Sequence, residues 1–258
     1  MARVFITGSA DGLGLAAARL LIQQGHTVTG HARNERRARQ LRERLPGAEA
    51  VLVADLSSRK QTMDLAEQAN EGAPFDAVIH NAGIGYRERA KITTEDGHAH
   101  VLAVNVLAPY ILTCLMHRPK RLVYLSSGMH RGGRGDTRDM DWERRPWNGT
   151  QAYSDSKLYD ATLAFAVARL WPDVLSNSLE PGWVPTRMGG PSAPDDITQA
   201  HLTQAWLAVS EDPEAKVSGR YFYHQKEMAP ALAALDVGFQ DDLLATLEEF
   251  TSVPFPRA

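Results

Sequence analysis

The stretch Arg3-Val4-Phe5-Ile6-Thr7-Gly8-Ser9-Ala10-Asp11-Gly12-Leu13-Gly14 reads as an apolar strand running into a glycine-rich turn, and Leu13 to Gln24 continue it as an alanine- and leucine-rich helix. Glycines in such a turn let the backbone approach a pyrophosphate. The helix N-terminus adds unpaired amides and the positive end of the helix dipole. The spacing is Gly-x-x-x-Gly-x-Gly, looser than Gly-x-Gly-x-x-Gly. The weight therefore rests on its place between the first strand and the first helix.

Outward from that unit, strand-like runs alternate with longer helical patterns. Val4–Thr7, Thr27–Gly30, Val51–Val53, Ala77–His80, Arg121–Ser126, Val174–Leu179 and Arg220–Tyr223 read as strands. Leu13–Gln24, Glu35–Leu45, Ser58–Asn70, Glu95–Leu115, Ala152–Leu170 and Thr198–Ser210 read as helices, with a short amphipathic helix over Asp241–Phe250. This order predicts right-handed crossovers and an α/β fold, a Rossmann-type doubly wound, mainly parallel sheet with helices on both faces. Pro109 predicts a kink or early break in the fourth helix. With no internal repeat and no dividing linker, residues 1–258 read as one domain.

Composition narrows the function. A formal net charge of −3 gives no electrostatic case for nucleic acid or an anionic membrane. The single cysteine, Cys114, excludes an intrachain disulfide framework and fits a reducing compartment. It lies in an apolar run and reads as an inert core thiol. The strand pattern begins at Arg3, so no signal peptide is expected, and the longest apolar region, Val101 to Met116, is too short to span a bilayer. A soluble, cytoplasmic protein is expected. The nine histidines show no paired ligand spacing with acidic or cysteine partners, so no metal site is expected.

Chemistry enters at Tyr153-Ser154-Asp155-Ser156-Lys157. A phenol and an ammonium four residues apart share one helix face. A free tyrosine ionises near pH 10, and a neighbouring cation favours the phenolate; a drop of about 3 units requires roughly 4 kcal/mol of differential stabilisation. Lys157 can supply much of that, so the pair points to acid–base chemistry at a carbonyl or alcohol. Tyr and Lys at this spacing are also common on solvated helix faces, so the pair needs support from the rest of the chain.

That support comes as a resemblance. The motifs resemble those of the short-chain dehydrogenase/reductase family from residue 3 to about residue 224. Thr7-Gly8-x-x-x-Gly12-x-Gly14, with Ser9 and Leu13, matches the family's cofactor fingerprint. Asp55-Leu56 matches its adenine-contacting pair, and Asn81-Ala82-Gly83 the segment that supports the sheet and lines the cofactor cleft. Asn105 matches the asparagine of a proton relay, holding a water that links the lysine to solvent. Ser127, Tyr153 and Lys157 match the catalytic serine, tyrosine and lysine, the last two also contacting cofactor. Pro181-Gly182-x-Val184-x-Thr186 matches the segment at the nicotinamide carboxamide. The resemblance implies hydride transfer between a nicotinamide and a carbonyl carbon, with Tyr153 as acid/base, Ser127 on the substrate oxygen and Lys157 lowering the tyrosine pKa and binding ribose hydroxyls. It also implies a homodimer or homotetramer. Ser126 is expected to point away from Ser127, since strand side chains alternate.

NADP is favoured over NAD, which stays possible. An acidic residue at the end of the second strand would repel a 2′-phosphate. This chain has Ala32 there, followed by Arg33, whose guanidinium can bind a phosphate with two parallel bonds. Asp11 in the glycine turn argues mildly the other way. Arg36 and Arg37 read as residues of a solvated helix face.

Ser127 and Tyr153 stand 26 residues apart, further than the family commonly allows, which marks residues 128–150 as an insertion. It carries Arg131, Arg134, Arg138, Arg144 and Arg145 among acidic residues, with Trp142 and Trp147. It reads equally as one wall of a substrate pocket or as a charged loop anchored by two tryptophans. With Ser126-Ser127-Gly128-Met129-His130 and Ser218-Gly219-Arg220-Tyr221-Phe222, the long spacing resembles the branch of retinol dehydrogenases and WW-domain oxidoreductases. His130 reads as a pocket residue or an incidental loop histidine. Residues 187–200 correspond to a mobile substrate lid; Trp183, Met188 and the two insertion tryptophans would line it, consistent with a small to medium hydrophobic alcohol, ketone or aldehyde. Two alternatives stay open: a non-catalytic NADP(H) sensor, and an enone reductase working on a carbon–carbon double bond.

Overall fold

The computed structural model describes residues 1–257. Among them, β1 (Arg3–Ile6), β2 (Thr27–Ala32), β3 (Ala50–Val53), β4 (Ala77–His80), β5 (Arg121–Leu125), β6 (Leu175–Glu180), β7 (Tyr221–Tyr223) and β8 (Lys226–Met228) form one sheet in the order β3-β2-β1-β4-β5-β6-β7-β8. Every pairing is parallel except β7 with β8. The order reverses between β1 and β4, so their carboxyl ends open the crevice where doubly wound folds bind ligands.

Alternation along β1 sorts the layers. Val4 and Ile6 join an apolar cluster with Leu15 and Leu21 of α1 (Gly12–Gln23), Leu41 of α2 (Glu35–Arg44) and Leu207 of α7 (Leu202–Val209). Phe5 points the other way, into a cluster with Leu65 of α3 (Arg59–Asn70), Ile111 of α5 (Ala108–Leu115) and Leu163 of α6 (Gly149–Leu170). Both faces are covered, which is why the strands read as continuous apolar runs. The last helix, α9 (Val237–Thr251), buries Phe239, Leu243, Leu244 and Leu247 against the α6 side of this core. It starts earlier than the Asp241–Phe250 pattern indicates, because Asp236 caps the amide of Phe239.

The fourth helix departs from its expected span. Glu95 to Ala99 form a turn closed by a bridge between Thr93 and Ala99, and helix begins with α4 (His100–Leu102). A π-helical turn over Ala103–Leu107 joins it to α5. Pro109 has no amide hydrogen to give the carbonyl of Asn105 four residues back, so the irregularity falls upstream of the proline. The sixth helical pattern also starts late, at Leu202 instead of Thr198. Strand β8 and the short α8 (Leu232–Leu235) were not expected. No helix among the described residues is long and apolar enough to cross a membrane.

Candidate active site

The glycine turn is built by close contacts that tolerate no side chain. Gly8 has φ +64°, and a Cβ on it would lie 2.7 Å from the Cα of Ala82. A Cβ on Gly14 would lie 2.4 Å from Asn81 Nδ2 and 2.6 Å from the Gly8 carbonyl oxygen. Asn81 Nδ2 donates to the carbonyls of Thr7 and Gly8 at 3.0 and 3.1 Å, and the Thr7 hydroxyl accepts from the amide of Ala82 at 3.0 Å. Asn81-Ala82-Gly83 thus braces the turn across β1 and β4. Ser9 is buried, its hydroxyl accepting from the amide of His31 at 2.8 Å.

Whether this cradle fits a dinucleotide can be tested at its helix. The long helices α2, α3, α6 and α9 begin with side-chain caps, whereas Asp11, at the same position of α1, gives its first amides no side-chain bond. Its carboxylate pairs with Arg37 instead. The amides at the start of α1, with Leu13 partly buried beside them, are therefore left without a side-chain partner, as binding a pyrophosphate requires. The residues fit the group. Arg37 is then no free member of a solvated face: its charge is engaged by Asp11, while Arg33 is exposed directly after β2. Asp55 accepts from the amide and hydroxyl of Ser57. Leu56 is buried in the core on the α3 side, so its side chain serves packing rather than the crevice.

The chemical end converges on α6. Tyr153 and Lys157 do share one face: the Lys157 ammonium lies 5.9 Å from the Tyr153 ring centre. Lys157 Nζ donates to the carbonyl of Leu125 at 2.7 Å and to Asp160 Oδ2 at 2.8 Å. Burial by itself lowers the pKa of Lys157, but the charges of Asp160 and Tyr153 and the bond to Asp160 outweigh it and raise the value. Lys157 is a cation at working pH. Ser126 turns its hydroxyl into the α6 backbone, donating to the carbonyl of Lys157 at 2.7 Å. Ser127 is partly exposed and accepts from the amide of Met129 at 3.3 Å, at the start of a 3₁₀ turn over Gly128–Gly132. The two serines point apart, as alternation requires.

Asn105, in the π turn, binds Ile84 twice: Oδ1 accepts from its amide at 2.9 Å and Nδ2 donates to its carbonyl at 3.1 Å. The same Nδ2 donates to Ser156 Oγ at 3.0 Å. Gly83 separates this group from Lys157, and a Cβ there would stand 3.5 Å from both Nζ and Asn105 Oδ1. After β6, Gly182 takes φ +87° and Val184 is buried; Thr186 accepts from the amide of Gly189 at 3.1 Å. Pro181 is partly buried at the same crevice end of the sheet.

A glycine cradle, a tyrosine–lysine face and an asparagine in a distorted helix thus meet at one end of the sheet. Residues 2–129 match the family described as short chain dehydrogenase. An uncharacterized oxidoreductase of Emericella nidulans is 45% identical over 99% of this chain and 99% of its own length. The chain belongs to the short-chain dehydrogenase/reductase family. It is an NAD(P)-dependent oxidoreductase, and it lies in the retinol dehydrogenase-like branch: human retinol dehydrogenase 13 is 30% identical over 90% of this chain and 79% of that protein. A Streptomyces protein named as a daunorubicin C-13 ketoreductase is 31% identical over 88% of this chain and 84% of its own. A crystal structure of an uncharacterized protein from Mycobacterium paratuberculosis superposes with a TM-score of 0.82, at 25% identity, covering 99% of this chain and 95% of that one.

In this short-chain dehydrogenase Tyr153 is covered. The insertion is packed down. Trp142 and Tyr153 are both buried in one small apolar cluster, against which Tyr86, Trp147 and Met188 pack. Arg145 stacks over Trp142 at 3.7 Å and binds Asp155 at 2.9 Å, and Trp147 Nε1 donates to the carbonyl of Glu88 at 2.8 Å. The insertion is therefore a wall beside Tyr153 with a charged rim. Met188 Sδ lies 3.9 Å from the Tyr153 hydroxyl. Trp183 does not join this lining; it is half exposed, and its indole N–H donates to the carbonyl of Gly189 at 3.0 Å.

Three site residues escaped the sequence reading. His31 is buried with Nδ1 accepting from the amide of Gly8 at 3.0 Å. Tyr86 meets Tyr153 edge to face at 5.6 Å. Asp160 holds Lys157. An aspartate three residues after the lysine was legible as a pairing signal; the other two depend on loop paths that carry no local pattern. His130 proves structural: it is buried, its Nδ1–H meets the carbonyl of Ser127 at 2.7 Å, and Nε2 accepts from the amide of Ala231 at 3.0 Å.

Proposed function

We propose that this enzyme interconverts an alcohol and a ketone or aldehyde on a small to medium hydrophobic substrate, using NADP. The observation that carries the reading is a buried ammonium held 5.9 Å from the ring of a tyrosine that is itself enclosed by apolar side chains. A carbonyl or hydroxyl at that phenol would find a proton donor, and the apolar side chains around it favour an apolar body. The Streptomyces relative's name as a ketoreductase supports the carbonyl class.

Gly8, Gly12, Leu13 and Gly14 would hold the pyrophosphate on backbone amides, Arg33 the 2′-phosphate and Asp55 the adenine. Asn81, Ala82 and Gly83 would line the middle of the dinucleotide, with Lys157 on its ribose and Pro181, Gly182, Val184 and Thr186 at the carboxamide. Bound there, NADP(H) supplies or accepts the hydride at the substrate carbon. In reduction, Tyr153 gives its phenolic proton to the substrate oxygen while Ser127 hydrogen-bonds that oxygen and fixes its position. The phenolate left behind is stabilised by the Lys157 charge until a proton returns from solvent, along a path that would pass Lys157 and Asn105. In oxidation the same phenolate accepts the alcohol proton. Positioned acid–base catalysis contributes about 10²–10⁴-fold, and orientation adds to it.

The test is turnover of simple aryl and alkyl ketones, enones and alcohols, followed by NADPH absorbance. The Tyr153→Phe variant is expected to lose at least about 10²-fold in kcat with NADPH affinity kept. Full turnover by that variant would remove the proton donor and with it this reading. Consumption of enones alone would move the chemistry to the double bond.

A further inference from the structure

Asp160 stands one helical turn beyond Lys157, with its side chain 4% exposed. One carboxylate oxygen accepts from Lys157 Nζ at 2.8 Å; the other, Oδ1, is buried without a hydrogen-bond partner among the described residues. A buried ion pair is a weak source of stability, because desolvating both charges offsets their attraction. An unsatisfied carboxylate oxygen worsens that balance. The group is better explained by what it does to the lysine. An ammonium has three N–H bonds. Leu125 and Asp160 take two of them from behind, and the third is left for the side where Gly83 leaves space.

We propose that Asp160 is a positioning residue for the reaction: it aims the Lys157 ammonium into the crevice and offsets part of the field that Lys157 exerts on Tyr153, so that it sets the pH at which Tyr153 ionises. This rests on the acid/base role given to Tyr153 above. Burial pushes the Asp160 carboxyl up to about 6 against the pull of Lys157, so it is ionised at neutral pH with the proton on the lysine. Tyr124 of β5, which feels the Asp160 charge, is held far above its usual range by burial and adds no competing charge. Around Tyr124, Cys114 is pushed up to about 12 and the stacked His80 is lowered to about 3, so both stay neutral. The other buried carboxylate of the helix, Asp155, is engaged by Arg145 and the amide of Arg134 on the insertion side.

The test needs no turnover and no cofactor, so its failure is separate from failure of the reaction assigned above. Tyrosinate absorbance is titrated in the free protein, and the Tyr153→Phe signal is subtracted to isolate Tyr153. Burial raises the pKa of Tyr110, Tyr124, Tyr159 and Tyr221, which thins the background, and the subtraction removes the signal of Tyr86 and Tyr223. Asp160→Asn keeps the shape and removes the charge; the Tyr153 midpoint is expected to fall by about one pH unit, tenfold in its ionisation constant. Asp160→Ser removes the same charge in a smaller volume and must give the same direction if the first variant does not fold. Asp160→Glu keeps the charge and is expected to keep the midpoint. An unchanged or raised midpoint in the uncharged variants overturns the proposal. So does a Glu variant that shifts as far as the Asn variant, since shape would then be what counts.

Discussion

The imidazole of His31, at the end of β2, accepts the amide of Gly8 on Nδ1 at 3.0 Å and gives its Nε2–H to the carbonyl of Ala54 at 3.0 Å. One neutral ring thus ties the glycine turn to the end of β3. Burial lowers its pKa to about 4, against weaker opposing pulls from Ala54 and Asp55.

The sign of the pH effect follows. Unfolded His31 takes up a proton near pH 6.5, folded His31 only near 4, so between those values the unfolded chain binds more protons. Stability is complete above about pH 6.5 and falls as pH drops toward 4, by on the order of 3 kcal/mol for this residue. His130 and His80, lowered by burial to about 4 and about 3, act in the same sense. Urea unfolding from pH 7 to 4.5 is expected to show this loss. His31→Asn, which retains an acceptor for Gly8, is expected to flatten the slope by about one proton, roughly 1.4 kcal/mol per pH unit. An unaltered slope would mean that His31 does not stay neutral.

Gly14→Ala is the sharpest probe of the cradle. Alanine improves helix propensity by about 1 kcal/mol, yet its methyl would overlap Asn81 Nδ2 and the Gly8 carbonyl. Overpacking against backbone typically costs about 1–3 kcal/mol, so the clash wins. The expected outcome is a lower Tm and at least tenfold weaker dinucleotide binding by fluorescence titration, about 1.4 kcal/mol. Gly132→Ala, where a Cβ meets nothing within 4 Å, serves as the neutral control.

Coenzyme choice is expected to rest on Arg33 more than on its neighbours, because Arg37 already pairs with Asp11. A charge-assisted hydrogen bond contributes roughly 1.5–3 kcal/mol, so Arg33→Ala should weaken NADPH by about 10- to 100-fold and leave NADH nearly unchanged. Paired Kd measurements check this. Equal losses for both would assign Arg33 to adenine stacking and remove the main argument for NADP.

The ordered motifs made the layered sheet and most of the crevice readable, since both follow from local spacing. Elements that depend on distant backbone were not. Strand β8 is three exposed residues, Lys226-Glu227-Met228, behind a turn in which His224 and Gln225 take φ of +47° and +61° without glycine, so no turn signal announced it. Pro109 correctly marked an irregular helix but not its place, because the π turn sits upstream, where Asn105 binds Ile84. The insertion stayed ambiguous in sequence because its outcome depends on Arg145, whose partner Asp155 lies within the Tyr153–Lys157 stretch of α6 at a spacing that signals no pairing with the insertion.

Substrate selection offers the last test, through Met188. Tyr153 is only 6% exposed, and the thioether of Met188 lies 3.9 Å from its hydroxyl. A Cβ on Gly85 would stand 2.6 Å from Met188 Cγ, so the methionine is seated against backbone from the β4 side. On the function proposed above, Met188 would have to move for a substrate oxygen to reach Tyr153, and its unbranched chain can do so at small cost. Met188→Ala is expected to raise kcat/KM for a bulky aryl ketone relative to a small alkyl ketone by at least about fivefold, roughly 1 kcal/mol of differential transition-state binding. Gly85→Ala, which displaces Met188 without shortening it, is expected to lower kcat/KM for both ketones. If Met188→Ala leaves the ratio unchanged, the apolar cover over Tyr153 plays no part in choosing the substrate, and selection must lie with the insertion wall of Trp142 and Trp147.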